Sequence, residues 1–208
     1  MPLRIVTEAT GEPISLIDAR RHLRLTTAAT GAGGSSNEDL LLNSYIKTAR
    51  EYGENYTKRA WMPQTFELVL DDFPTGGIEL PMPPLSTMST NVKIRYTDTT
   101  GGTSTIADTA ISVDYHTEPG FVVPSSGNEW PDTSSVINAV RVQFVSGYTS
   151  STGIETTIPE SIRTWMKVRM GQMYEHREPI ITGARFSEMP RDFADGLLDR
   201  YTIMTVST

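Results

Sequence analysis

At 208 residues the chain is long enough for one or two domains and for burial of about 70% of its unfolded surface. It carries 25 acidic against 18 basic residues, a net charge of −7 that argues against a general nucleic-acid binder, because displacing the counterions of phosphate takes cations. With no cysteine, disulfides and thiolate metal sites are excluded, while 38% hydrophobic and 21% charged residues are ordinary for a folded protein.

The opening MPLRIVTEAT has no apolar segment of the kind a secretion signal needs, and aliphatic runs such as Leu40 to Leu42 fall far short of a membrane span. The expectation is a soluble protein made in a cytoplasm. Ser15-Leu16-Ile17-Asp18 reads as a capping box opening a short helix through about Leu25. Residues 26–36, TTAATGAGGSS, read as a small-residue loop. Asn37 then caps a long helix predicted through Arg59, with Glu38 and Asp39 suited to its positive end. Leu42, Ile46, Ala49, Gly53, Tyr56 and Ala60 form one helical stripe; Leu41, Tyr45, Thr48 and Tyr52 form a second beside it. One stripe can face the chain's own core while the other meets a neighbour.

From Gln64 to Tyr148 the period changes to two. Phe66, Leu68 and Leu70, then Val92, Ile94 and Tyr96, then Val140, Val142 and Phe144 alternate with mostly polar residues, the pattern of half-buried strands. Thr99-Thr100-Gly101-Gly102 is a turn between two of them. Six prolines from Pro81 to Pro131 keep the strands short or at edges. Pro159 and Glu160 open a further helix through about Arg177. A last short helix is expected from about Pro190 to Tyr201. The fold class is therefore α+β: a helical core of about four helices with an inserted antiparallel β-rich module. The expected organisation is 1–62 helical, 63–148 β-rich, and 149–208 completing the helical core.

Candidate chemistry is sparse. Asp114, His116 and Glu118 form D-x-H-x-E, which on an extended segment points three ligands one way and suits a metal-dependent hydrolase. The competing reading is a solvated face leading into Pro119-Gly120. The glycine-rich 31–34 stretch lacks the Gly-Lys-Ser/Thr ending and the preceding strand of a phosphate loop. None of the three histidines has a recognisable nucleophile beside it, so no catalytic, metal or cofactor site is assigned. Tyr115, Phe121 and Trp130 are candidates for a glycan-binding β-module. Met166, Met170 and Met173 make a helical row that is either core or an adaptable contact surface. Lys93, Arg95 and Arg141 are placed to share one sheet face.

Several blocks together carry a likeness. They are Glu51-Tyr52-Gly53-Glu54-Asn55-Tyr56-Thr57-Lys58-Arg59, Met62-Pro63-Gln64-Thr65-Phe66-Glu67-Leu68, Ile78-Glu79-Leu80-Pro81, Gly120-Phe121-Val122-Val123-Pro124, Val140-Arg141-Val142-Gln143-Phe144 with Ser146-Gly147-Tyr148, and Ile158-Pro159-Glu160-Ser161-Ile162. In that order they resemble the head–tail connector (adaptor) proteins of long-tailed bacteriophages, in the branch with an inserted β-module. The resemblance implies a structural, non-enzymatic virion protein without cofactor. It implies a ring of twelve copies beneath the portal protein, docking a stopper or tail-completion protein, with DNA passing through without specific binding and with no membrane partner. It implies a portal contact through the C-terminal segment, here Arg200, Tyr201, Ile203 and Met204. Leu41, Tyr45 and Tyr52 of the second stripe, with Met166 and Met170, are the expected subunit interface.

Overall fold

The computed structural model describes residues 2–25, 37–86, 92–148, 158–176 and 194–203. The chain divides into a β unit, Met1–Thr10 with Lys58–Thr149, and a helical unit, Gly11–Thr57 with Ser150–Thr208. The first residues thus belong with the strands.

In the β unit, seven-residue β2 (Gln64–Leu70) pairs antiparallel over its whole length with β8 (Val140–Ser146). They lie inside a five-stranded sheet ordered β1-β2-β8-β4-β5, with β1 at Leu3–Thr7, β4 at Val92–Thr97 and β5 at Thr103–Thr105. A second, three-stranded sheet is ordered β3-β7-β6 and comprises Ile78–Leu80, Gly120–Pro124 and Ile111–Asp114. The alternation read from the sequence sets the packing. Phe66, Leu68, Val92, Ile94, Val140, Val142 and Phe144 from the larger sheet share one core with Ile78, Leu80 and Val122 from the smaller. Phe66 and Phe144 are register partners whose rings stack at 5.8 Å. After β8, Gly147 sits at φ +131, and a Cβ there would fall 2.2 Å from the Met62 carbonyl oxygen, so only glycine fits.

Nothing in the alternation of residues 3–7 announces β1. All five of its residues are exposed, and the strand forms by backbone pairing to β2, helped by an Arg4–Glu67 ion pair. The 99–102 turn is as expected, with the Asp98 carboxylate accepting from the Thr100 and Gly102 amides and the Thr100 hydroxyl.

The helical unit holds α1 (Leu16–His22), α2 (Asn37–Thr57) and α3 (Glu160–Glu175), followed by a 3₁₀ turn at Asp199–Tyr201. Three α-helical elements stand among the described residues, against about four expected, and two antiparallel sheets supply as much core as the helices do. Ser15 and Asp18 form the capping pair: the Ser15 hydroxyl accepts from the Asp18 amide at 3.1 Å and donates to its carboxylate at 2.8 Å. α2 ends at Thr57, and Lys58 takes a left-handed φ of +56. Its buried stripe is Leu42, Ile46, Ala49, Gly53 and Thr57; Tyr56, expected inside, is 41% exposed. The Thr57 hydroxyl fits there by donating to the Gly53 carbonyl at 2.8 Å.

α2 and α3 run antiparallel: Tyr52 stacks on Trp165 at 6.0 Å, and the Tyr174 hydroxyl donates to Glu38 at 2.7 Å. Ile162, Trp165, Met166 and Met170 of α3 are buried. Arg20 of α1 pairs with Asp39 at the start of α2.

Candidate functional site

Five regions carry the sequence-level candidates. The first is the outer side of α2. Leu41 and Tyr45 are half-buried and Tyr52 is 48% exposed, so all three keep surface beyond the chain's own core. Tyr52 is held by the chain's own side chains, stacking on buried Trp165 with the Arg169 guanidinium carbon 4.9 Å from its ring centroid. Met166 and Met170 belong elsewhere. Both are fully buried in the helical unit and belong to its core, while Met173 of the same row is half-buried.

The second region is the C-terminal segment. Arg200 is exposed, while Tyr201 and Ile203 are half-buried. The Ile203 amide donates to the Thr57 carbonyl at 3.0 Å, which fastens the segment to the end of α2. Met204 lies outside the described residues, as does the glycine-rich 31–34 stretch.

The third is D-x-H-x-E, which does not assemble. The Asp114 carboxylate turns back onto the chain, accepting from the His116 amide at 2.8 Å and the Thr117 hydroxyl at 2.9 Å. These bonds, the His116 amide first, hold its carboxyl below the usual range. Glu118 is taken by Arg59 at 2.5 Å. Burial works against the Arg59 cation, and the Glu118 partner more than offsets it, raising the guanidinium above its ordinary value. Among the described residues no group of three His, Cys, Asp or Glu side chains could hold a metal.

The three aromatics proposed for a glycan make no ring contact with one another. Trp130 stacks on Phe73 at 4.8 Å, donating its indole N–H to the Gly76 carbonyl at 3.0 Å, beside an open cleft of about 930 Å³. Tyr115 packs against the β core, and Phe121 stands on the smaller sheet, 37% exposed.

The fifth region is one the sequence hinted at and the register completes. On the outer face of the five-stranded sheet, Lys93 sits opposite Gln143 and Arg95 opposite Arg141; all three cations are exposed. Among the described residues none of the three has an ion-pair partner. Among the described strand residues of that face the one carboxylate is Glu67, which is ion-paired with Arg4.

No protein-family profile matches the sequence, and no curated protein matches it. Solved structures do. A chain in the neck of an empty gene transfer agent (GTA) particle, computed with C6 symmetry, superposes with a TM-score of 0.76 at 24% identity, covering 100% of this chain and 98% of that one. A chain in the virion of the native GTA particle gives 0.73 at 23%, again covering 100% and 98%. A chain in the neck of the native GTA particle, computed with C12 symmetry, gives 0.69 at 21% with the same coverage. The fold is that of these particle chains from end to end.

No helix among the described residues is long and apolar enough to cross a membrane.

Proposed function

We propose that this chain is a structural protein of a virion neck, a head–tail adaptor whose copies form a ring beneath the portal and extend the DNA channel toward the stopper or tail. The observation that carries this reading is the end-to-end likeness to chains of GTA particle necks, one of them computed with twelvefold symmetry. It agrees with the adaptor resemblance of the sequence blocks, which has independent grounds in residue identity.

The function is assembly without catalysis. Leu41, Tyr45 and Tyr52 on the outer side of α2 contribute to the contact between copies, and obligate contacts of this kind often exceed about 2,000 Å². The C-terminal segment from Arg200 onward reaches the portal. DNA passes without specific binding, since a twelvefold ring carries about −84 in total and repels phosphate.

Imaging of the assembled vertex tests this. A twelvefold collar containing the chain directly under the portal is the expected picture. Particles made without the chain that still join heads to tails and retain their genome would overturn it.

A further inference from the structure

The β unit is electrically two-sided. Between residues 60 and 148 the sequence holds ten acidic residues and only three basic ones, Lys93, Arg95 and Arg141. Strand register gathers all three on the outer face of the five-stranded sheet. The smaller sheet, on the other side of the shared core, turns out a different surface. Glu79, Phe121 and Asp114 lie in one row across β3, β7 and β6, with Val123 and Ser112 in the next. Phe121 is 37% and Val123 39% exposed, so two carboxylates flank an uncovered apolar strip.

We propose that these two faces are the halves of a head-to-tail contact between copies of this chain: the basic face of one β unit meets the acidic, apolar-striped face of the next. Three observations favour a second copy as the occupant. Arg95 directly opposite Arg141 is a repulsive cross-strand pair, and among the described residues no carboxylate relieves it. The complementary charge stands on the opposite face of the same unit. Two unlike faces also generate a heterologous contact, the type that closes into rings or runs on as filaments. Duplex DNA is the weaker occupant, because the basic face belongs to a chain of net charge −7.

The proposal rests on the ring reading only for closure; the face-to-face contact stands by itself. The test uses the full chain in sedimentation velocity with two charge-reversed variants. One is Lys93→Glu/Arg95→Glu/Arg141→Glu, and the other is Glu79→Lys/Ser112→Lys. Wild type should self-associate, weakening at least about tenfold when salt rises from about 50 to about 500 mM. Each variant alone should be monomeric, and an equimolar mixture should associate again. A wild-type chain that stays monomeric at low salt overturns the proposal, as does a triple reversal that associates normally. So does a triple reversal that loses only duplex DNA binding, which would make phosphate the occupant. If a neck collar persists in particles carrying the triple reversal, the ring reading survives and this face assignment alone fails.

Discussion

Arg50 and Glu54, one turn apart on α2, form a buried ion pair at 2.8 Å, each less than a tenth exposed. Glu12 reaches the same guanidinium at 2.8 Å from the segment before α1. Burial opposes the Arg50 cation, but the two carboxylates more than offset it and raise it above its ordinary value. Removing one partner therefore strands charge in the interior. Arg50→Met should destabilise the helical unit by about 3–5 kcal/mol in urea unfolding, while Arg50→Met/Glu54→Leu should recover much of the loss. Equal stability of the single and double variants would show that the stranded carboxylate is not the cause.

In the β unit the corresponding joint is apolar. Phe144 is fully buried and stacks on its register partner Phe66 across the two central strands. Truncation leaves a cavity between sheets whose backbone pairing resists collapse. Phe144→Ala should cost about 3–5 kcal/mol, measured by chemical denaturation.

Gly147 is constrained by geometry. Its φ of +131 and its approach to Met62 leave no room for a side chain, and its amide is spent on the Pro84 carbonyl at 2.8 Å. Gly147→Ala should lose more than about 1 kcal/mol, combining backbone strain with a collision. A wild-type thermal midpoint would show that the loop after β8 can shift cheaply.

How much of this was legible beforehand depends on whether one side of an element faces the core. β2, β4 and β8 were readable because Phe66, Ile94 and Val142 point inward while Thr65, Lys93 and Arg141 point outward. β1 was not, since it is exposed along its whole length and held by backbone pairing, which leaves no hydropathy signal. On α2 the stripe was right as far as Gly53, then Thr57 took the inner position in place of the more apolar Tyr56, by satisfying its hydroxyl on the Gly53 carbonyl. Among the candidate residues, hydropathy marked Met166 and Met170 as apolar but could not say whose core they fill. The two-faced β unit needed strand register, because only pairing brings Arg95 opposite Arg141.

Asp98 links stability to pH. Its carboxyl is held below its ordinary value of 3.8, chiefly by the Thr100 hydroxyl and then the Gly102 amide. The folded chain therefore binds fewer protons there than the unfolded chain at acidic pH. The stabilisation is present above the unfolded value and is lost as pH falls through the folded one. Asp98→Asn should flatten the decline in urea midpoint between about pH 5 and about pH 3, although Asp18, Asp72 and Asp114, shifted the same way, keep part of the slope. An unchanged slope in Asp98→Asn would mean the turn holds without its carboxylate.

The sharpest contrast for assembly lies between neighbours on α2. Leu42 is fully buried, whereas Leu41 and Tyr45 keep accessible surface on the outer side. Leu42→Ser removes a core side chain and introduces a buried hydroxyl, so it should cost several kcal/mol, roughly 3 or more, in the isolated chain. Leu41→Ser/Tyr45→Ser should change isolated-chain stability by only about 1 kcal/mol while reducing incorporation into particles. Quantifying the chain in purified particles beside its solution stability separates folding from assembly. If the Leu41→Ser/Tyr45→Ser variant incorporates at the wild-type level, the outer stripe of α2 is solvated surface, and the contacts between copies lie on other elements.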